Sequence, residues 1–212
     1  MTYQFTQENQ GIKLYEYVGD EEIIVIPDEI DGQKVVSLAD NLFIEKDSLK
    51  EVHFPKSLKV IPKSICCNCK NLTTITFPHD LEIISEGAFD HCISLKQELH
   101  FPKTLKRICS FAFRKCEQLF GDLIIPKSVL HIGIYAFNGC SNLDGYLIYN
   151  ELSLAKLPII CDRLSNKARM ADGFHFHGTN LTHTRLRDVL TAEEQMGHFI
   201  KDFIKETLLE VD

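Results

Sequence analysis

Apolar positions recur along most of the chain in units of 23 to 28 residues, and each unit contains a short stretch where apolar and polar residues alternate. In one unit Ile75 and Phe77 alternate with Thr74 and Thr76, which predicts a half-buried β-strand. Pro78 follows directly and ends the strand, because proline has no N–H to donate to a neighbouring strand. Equivalent strands are predicted at residues 49–54, 95–101, 119–125 and 143–149.

The rest of each unit repeats as well, in a fixed order. Three and six residues after the proline come two apolar residues, such as Leu81 and Ile84, and then a small–aromatic pair, such as Ala88-Phe89. A cysteine follows the aromatic position by three residues, and a leucine follows the cysteine by three. The cysteines of this column are Cys69, Cys92, Cys116 and Cys140; in the longer first unit Phe43, Lys46 and Leu49 take the aromatic, cysteine and leucine places.

A repeat of this kind predicts a solenoid in which successive units stack as coils. One unit alone leaves both of its apolar edges exposed, whereas stacking buries each edge on the next coil. Periods of about 20 to 29 residues with recurring leucines are typical of leucine-rich repeats. The cysteine column then lies inside the stack, where we expect each thiol to stay free and to pack as a small apolar side chain.

The chain resembles the BspA-type leucine-rich repeats in the motif Leu-x-x-Ile-x-Phe-Pro followed by Ala-Phe-x-x-Cys-x-x-Leu, as in LTTITFPHDLEIISEGAFDHCISL. The resemblance covers about residues 21–150. It implies a right-handed solenoid with short parallel strands on its concave side and a role in protein binding and adhesion. It implies no catalytic residues and no cofactor. Many relatives in that family are cell-surface proteins.

We expect three regions along the chain. Residues 1–26 form an N-terminal cap, in which residues 12–17 alternate like an edge strand. Residues 27–165 form the solenoid, and its last repeat, after residue 150, is degenerate because it lacks the proline. Residues 166–212 contain a loop followed by a C-terminal amphipathic α-helix.

The predicted C-terminal helix starts with a capping box, Thr191-Ala-Glu-Glu194, and continues with apolar residues at helical spacing. This apolar stripe has two interpretations. It covers the last coil as a cap, or it docks on another chain, including a second copy of this chain in a homodimer. The stripe consists of Met196, Phe199, Ile200, Phe203, Ile204 and Leu208.

Composition and charge narrow the classes of partner. Of the 212 residues 44% are hydrophobic and 25% are charged, as in an ordinary folded domain, and the formal net charge is −7. An acidic chain without a basic run predicts no binding to nucleic acid or to anionic membranes, since both depend on Lys and Arg. No apolar run approaches the roughly 20 residues of a membrane-spanning helix, and residues 1–10 do not resemble a secretory signal. We therefore expect a cytoplasmic protein, with export by another route left open.

A cluster of histidines, a residue type that often binds metal ions, lies near the C-terminus. On a strand His175 and His177 point to the same side, so that with His183, or with His198 on the helix, they offer three imidazoles to zinc. No carboxylate stands at a spacing that would complete the site. The alternative, which we favour, is that these are ordinary loop histidines.

A second cluster consists of Cys66, Cys67 and Cys69. Zinc sites usually show a further ligand pair at matching spacing, and none accompanies this cluster. Cys66 and Cys69 occupy the aromatic and cysteine columns, so we expect both to point inward and Cys67 alone to lie near the surface.

The candidate partner site is the outward side of the predicted strands, which the resemblance places on the concave face. Its early half is polar, while Phe120, Ile124, Tyr146 and Ile148 form an expected exposed apolar patch in its late half. Such patches mark binding sites or surfaces covered by the chain's own C-terminal segment. The predicted partner-binding residues are Glu51, His53, Thr74, Thr76, Glu98, His100, Phe120, Asp122, Ile124, Tyr146 and Ile148.

Three functions are compatible with these patterns. The first, which we favour, is a non-catalytic protein-binding module without a cofactor, which holds a protein partner that the sequence does not name and self-associates through the C-terminal helix. The second is a solenoid with a small metal-dependent site around His175, His177 and His183. The third is a purely structural, self-assembling protein.

Overall fold

The computed structural model describes residues 2–143, 146–149 and 152–156, with the backbone alone described for the last two ranges. All regular elements in this part of the chain are β-strands. Here no helix has the length and apolar character needed to cross a membrane. The strands are β1 (Thr2–Glu8), β2 (Gly11–Val18), β3 (Ile23–Val25), β4 (Glu29–Ile30), β5 (Gln33–Leu38), β6 (Glu51–His53), β7 (Val60–Ile61), β8 (Thr74–Thr76), β9 (Ile83–Ile84), β10 (Arg107–Ile108), β11 (Leu123–Ile125), β12 (His131–Ile132), β13 (Tyr146–Tyr149) and β14 (Leu152–Lys156).

The N-terminal residues form a four-stranded sheet in the order β1-β2-β5-β4. β1 and β2 are an antiparallel hairpin, and β2 pairs with β5 in parallel. The predicted strand over residues 12–17 therefore exists as β2, but the prediction that it is an edge strand is wrong. Ile12 and Leu14 are fully buried, and the backbone of a buried strand needs hydrogen-bonding partners on both sides.

The predicted stack of coils is formed by two sets of parallel strands. One set begins with β3, β6 and β8, which pair in register so that Val25, His53 and Thr76 stand side by side. It resumes with β11 and β13, and β14 returns antiparallel to β13. β3 lies within residues 1–26 and already pairs with the first strand of the next coil.

The prediction of a strand over residues 95–101 is wrong, because only a single β-bridge, between His100 and Ile124, forms there. This coil has one more residue between its leucine and its proline than the coil before it. The side chain of Gln97 fills the gap: its Oε1 accepts from the Ile75 N–H at 2.8 Å and its Nε2 donates to the Ile75 carbonyl at 3.2 Å. A side-chain amide thus replaces the backbone of a neighbouring strand.

A second parallel sheet, in the order β12-β10-β9-β7, runs along another side of the stack. Its strands contain the second apolar residue of the pair that follows each proline, for which no strand was predicted. Ile61, Ile84, Ile108 and Ile132 point inward and are buried. We call the outward side of these strands the second-sheet face.

The third side of the stack, the turn side, consists of tight turns with two left-handed residues per coil. Their φ angles lie between 49° and 76°, and members of a pair are four residues apart. Coils are joined there by backbone hydrogen bonds such as Phe89 N–H to Ala112 C=O, 2.8 Å, and Phe113 N–H to Ala136 C=O, 2.7 Å. The left-handed pairs are Asn41 and Glu45, Ser64 and Asn68, Gly87 and His91, Phe111 and Lys115, and Tyr135 and Gly139.

The core is built from the repeated columns, as predicted. Phe89, Phe113 and Phe137 are fully buried and stack with ring centroids 5.4 and 5.3 Å apart. The phenylalanines that precede the prolines join this stack, with Phe54 and Phe77 each 6.2 Å from Phe89. Aromatic pairs of this kind add to the free energy gained from burial.

The predicted interior column of free thiols is confirmed. Cys69, Cys92, Cys116 and Cys140 are fully buried and free. Each thiol donates a hydrogen bond to a carbonyl of the preceding coil, at distances of 2.9 to 3.1 Å. The column therefore links successive coils by hydrogen bonds as well as filling the core.

Candidate functional site

The strand face is the set of outward side chains on β3, β6, β8 and β11, at the His100 bridge, and in the residues that lead into that bridge and into β11. Their inward neighbours Val52, Leu99 and Leu123 are almost fully buried. Because successive side chains of a strand point to opposite sides, the residues between them are left outside. The strand face contains Ile23, Val25, Glu51, His53, Thr74, Thr76, Glu98, His100, Phe120, Asp122 and Ile124.

The centre of the strand face is polar and linked across strands. His53 lies 3.5 Å from Glu51 and 3.0 Å from the Thr76 hydroxyl. On the next coils His100 lies 3.8 Å from Glu98. These side chains are partly or largely exposed, so their contacts contribute little to stability and remain accessible to a partner.

Glu98 is held in place by the coil beneath it. Gly121 has a φ of +81°, and a side chain there would come within 3.0 Å of Glu98 Cγ. Gly121 therefore leaves room for the Glu98 side chain, and the half-buried Asp122 follows this glycine in sequence. The centre of the face is therefore acidic towards its late half.

Apolar side chains flank the polar centre at both ends. Phe120 and Ile124, which were predicted to be exposed, are 40% and 45% exposed, and at the other end Ile23 and Val25 are 52% and 57% exposed. The second pair was not predicted, because residues 1–26 were assigned to the cap. The signal was present: Ile23 and Val25 stand four and two residues before Pro27, as Glu51 and His53 stand before Pro55.

Several predicted functional residues lie outside the described side chains. The backbone of Ile148 pairs with that of Ile124, and Tyr146 lies at the start of β13. The histidines His175, His177 and His183 and the predicted C-terminal helix, with its apolar stripe from Met196 onward, fall wholly outside the described residues.

The cysteine cluster has the predicted orientation. Cys66 and Cys69 are fully buried, and Cys67 is partly exposed. Burial raises the pKa of the Cys66 and Cys67 thiols, which keeps them in the unreactive protonated form at neutral pH. Among the described residues no group of three His, Cys, Asp or Glu side chains is placed to hold a metal ion.

A buried ion pair on the turn side was not predicted. Asp90 is only 6% exposed and receives two hydrogen bonds from Arg114, Nε to Oδ1 at 2.8 Å and Nη2 to Oδ2 at 2.5 Å. The hydrogen bonds that it donates to Asp90 raise the pKa of the Arg114 guanidinium. Arg114 also lies over the Phe111 ring at 4.8 Å. These contacts join adjacent coils and leave the carboxylate fully engaged.

A cleft of about 560 Å³ lies between the N-terminal sheet and the first coil. Lys46 crosses it: its ammonium group donates to the Gly19 carbonyl, lies 3.2 Å from Asp20 Oδ1 and stands 5.2 Å from the centre of the Tyr17 ring. Lys46, the one cation among the described residues that line this cleft, is thus already paired with Asp20 and Gly19, and the strand face remains the better candidate for a partner site.

Comparison with known proteins agrees with this architecture. A family model described as the BspA type leucine-rich repeat region matches residues 36–156 in six copies. A leucine-rich repeat protein of Treponema pallidum is 28% identical with a TM-score of 0.60, and the alignment covers 71% of this chain and 79% of that chain. A leucine-rich repeat protein of Bacteroides ovatus is 27% identical with a TM-score of 0.60, covering 69% of this chain and 39% of that chain.

A leucine-rich cell-surface protein of Faecalibacterium prausnitzii is similar to the same extent, at 27% identity and a TM-score of 0.60. The alignment covers 70% of this chain and 38% of that chain, so this chain spans well under half of the Bacteroides and Faecalibacterium structures. No curated protein sequence matches the chain.

Proposed function

This chain belongs to the BspA-type leucine-rich repeat family, and on that premise we propose that it is a non-catalytic protein-binding module whose strand face holds a protein partner. Leucine-rich repeat proteins generally mediate protein–protein interaction. The observation that carries the proposal is the pattern of the strand face, where exposed apolar side chains flank a polar, acidic centre.

Rigidity supports the proposal. Val25, His53 and Thr76 stand on strands that pair in register, and Ile124 stands on a strand between the His100 bridge and β13. Side chains held on such a scaffold lose little conformational freedom on binding, which favours affinity.

The pattern also describes the partner. From Val25 to Ile124 the face crosses four strand spacings, so the two apolar ends stand roughly 19 Å apart at about 4.8 Å per spacing. A matching partner presents two apolar groups at this separation. Between them it presents hydrogen-bond donors or cationic groups, which meet Glu51 and Glu98.

The apolar ends supply most of the expected binding free energy. Ile23, Val25, Phe120 and Ile124 each retain about half of their surface in water, so covering each one contributes about 1 kcal/mol. The acidic centre contributes chiefly to orientation and to the choice of partner, because exposed charge pairs add little affinity.

The proposal is tested by capture of binding proteins with the purified chain. A strand-face variant carries Thr74→Arg, Glu98→Arg and Ile124→Arg, and a control carries three arginines on or next to the second-sheet face: Val60→Arg, Leu130→Arg and His131→Arg. All six positions are at least partly exposed, so both variants are expected to fold, which circular dichroism and melting temperature check.

We expect a protein that binds the parent chain and the control variant but not the strand-face variant. Titration of that purified protein then gives the loss of affinity, which we expect to exceed about tenfold for an arginine placed at an apolar contact. Equal binding by both variants, or a loss with the control variant alone, would contradict a site on the strand face.

A further inference from the structure

The first strand of the N-terminal sheet has a partner on one side only within the described chain. β1 is seven residues long and pairs with β2, while its other edge meets no described strand. Tyr3 and Phe5 are half-buried against the core, and the remaining five residues of β1 are exposed. An exposed strand edge offers unpaired N–H and C=O groups to another strand.

This edge lacks the features that usually prevent pairing. Proteins protect such edges with proline, lysine or a bulge in the edge strand, whereas β1 has the sequence TYQFTQE, with no proline and no lysine. A bulge is present, but its extra residue, Tyr15, belongs to the inner strand β2. Glu8 is the one charged residue of β1.

The sequence of β1 is compatible with a second copy of itself. In an antiparallel pair centred on Phe5, the two Phe5 side chains are opposite one another and Gln4 is opposite Thr6 of the other copy. Glu8 is then opposite Thr2, so that no like charges face each other. The half-buried Phe5 rings meet on the core-facing side of the joined sheet, where each completes the burial of the other.

We propose that two copies of this chain associate through antiparallel pairing of their β1 edges, centred on Phe5, so that their N-terminal sheets form one continuous sheet across a twofold axis. The pairing adds backbone hydrogen bonds along seven residues and one aromatic contact. The contact is symmetric, as is usual for soluble homodimers. It leaves the strand face of both copies uncovered.

The register can be tested with two variants that differ in one residue. In the Gln4→Lys and Thr6→Lys double variant, lysine faces lysine twice across the pair. In the Gln4→Lys and Thr6→Glu double variant, lysine faces glutamate twice. Gln4 and Thr6 are exposed, and circular dichroism with melting temperature checks that both full-length variants fold. Sedimentation equilibrium over about a hundredfold range of concentration measures the dimer dissociation constant.

We expect the parent chain to reach twice the 24.3 kDa of one chain as its concentration rises. The lysine–lysine variant should dissociate at least about tenfold more readily, while the lysine–glutamate variant dimerises as well as the parent or better. A monomeric parent chain, equal dimerisation of the lysine–lysine variant, or loss of the dimer in both variants would overturn the proposal. Equal dimerisation in all three chains would direct attention to the apolar stripe of residues 196–208.

Discussion

Lys46 donates a hydrogen bond from its ammonium group to the backbone carbonyl of Gly19, and so extends the cysteine column by one coil. The two residues are 27 apart in sequence, the same separation that joins the Cys140 thiol to the Phe113 carbonyl. At this end of the stack the column reaches the exposed Asp20, 3.2 Å from the Lys46 ammonium. Lysine thus takes the cysteine place at this end of the stack, where its ammonium group also meets Asp20.

Replacement of Lys46 by methionine tests this role. Methionine keeps the length of the side chain but cannot donate to Gly19, and we expect the free energy of unfolding to fall by about 1–2 kcal/mol. The control is Lys50→Met, because Lys50 forms an exposed ion pair with Glu22 at 2.7 Å and should contribute less than about 0.5 kcal/mol. Urea denaturation of both variants gives the comparison. Equal losses would show that Lys46 is an ordinary surface lysine.

The buried thiols should resist alkylation until the stack opens. Among the cysteines that the structure describes, at pH 9 we expect iodoacetamide to modify the partly exposed Cys67 and Cys109 first, slowly because burial raises the pKa of both thiols. Peptide mass spectrometry after timed labelling measures each site, and labelling in urea provides the reference. Rapid native labelling of the column would contradict the packing described above. The protected cysteines are Cys66, Cys69, Cys92, Cys116 and Cys140.

Acid should weaken the fold partly through Glu21. A hydrogen bond from the Tyr17 hydroxyl lowers the pKa of Glu21 from its ordinary 4.5 to about 2. Because the folded-state pKa is the lower one, the stabilisation is present above pH 4.5 and is lost as the pH falls towards 2. Melting temperatures between pH 2 and pH 5 should fall less steeply in Tyr17→Phe than in the parent chain. If the melting temperatures of the two proteins fell in parallel with pH, this hydrogen bond would not contribute to the loss of stability in acid.

At left-handed positions on the turn side, a substitution by glycine should raise the free energy of unfolding, and a substitution of glycine by alanine should lower it. Glu45 is exposed with a φ of +56°, so Glu45→Gly relieves a strained backbone and should raise the free energy of unfolding by about 0.5–1 kcal/mol. Gly87 has a φ of +60° and room for a methyl group, its nearest neighbour being 3.4 Å away. Gly87→Ala should therefore cost about 1 kcal/mol through backbone strain alone. Thermal denaturation measures both, and destabilisation by Glu45→Gly would contradict the argument.

The sequence predicted the core well because each column repeats one requirement of size and polarity. The burial of Phe89, Phe113 and Phe137 follows from their spacing alone, as does the inward direction of Cys66. The strands of the second sheet escaped prediction because each is two residues long, too short for alternation to be visible. β3 could have been predicted from its spacing before a proline, but residues 1–26 were assigned to a cap instead.

The centre of the strand face and its end at Phe120 and Ile124 were predicted from the sequence. The other end, at Ile23 and Val25, was missed. Glu51, Glu98 and Ile124 follow the outward positions of the repeat, so alternation was sufficient to place them. The replacement of a strand by the Gln97 side chain could not be predicted. An inserted residue can form a bulge, shift the register of the strand or break its pairing with the neighbouring strand. The next coil has the same spacing from Leu119 to Pro126 and does form a strand, β11, so spacing alone does not decide between these outcomes.

Because the side chain of Gln97 takes the place of a strand, local stability differs between the two long sides of the stack. This replacement divides the strand side into two three-stranded sheets, whereas the second sheet continues unbroken from β7 to β12. The boundary between the two sheets is held on the strand side by fewer backbone hydrogen bonds than its neighbours, so we expect local opening to need less free energy there than between the paired strands on either side.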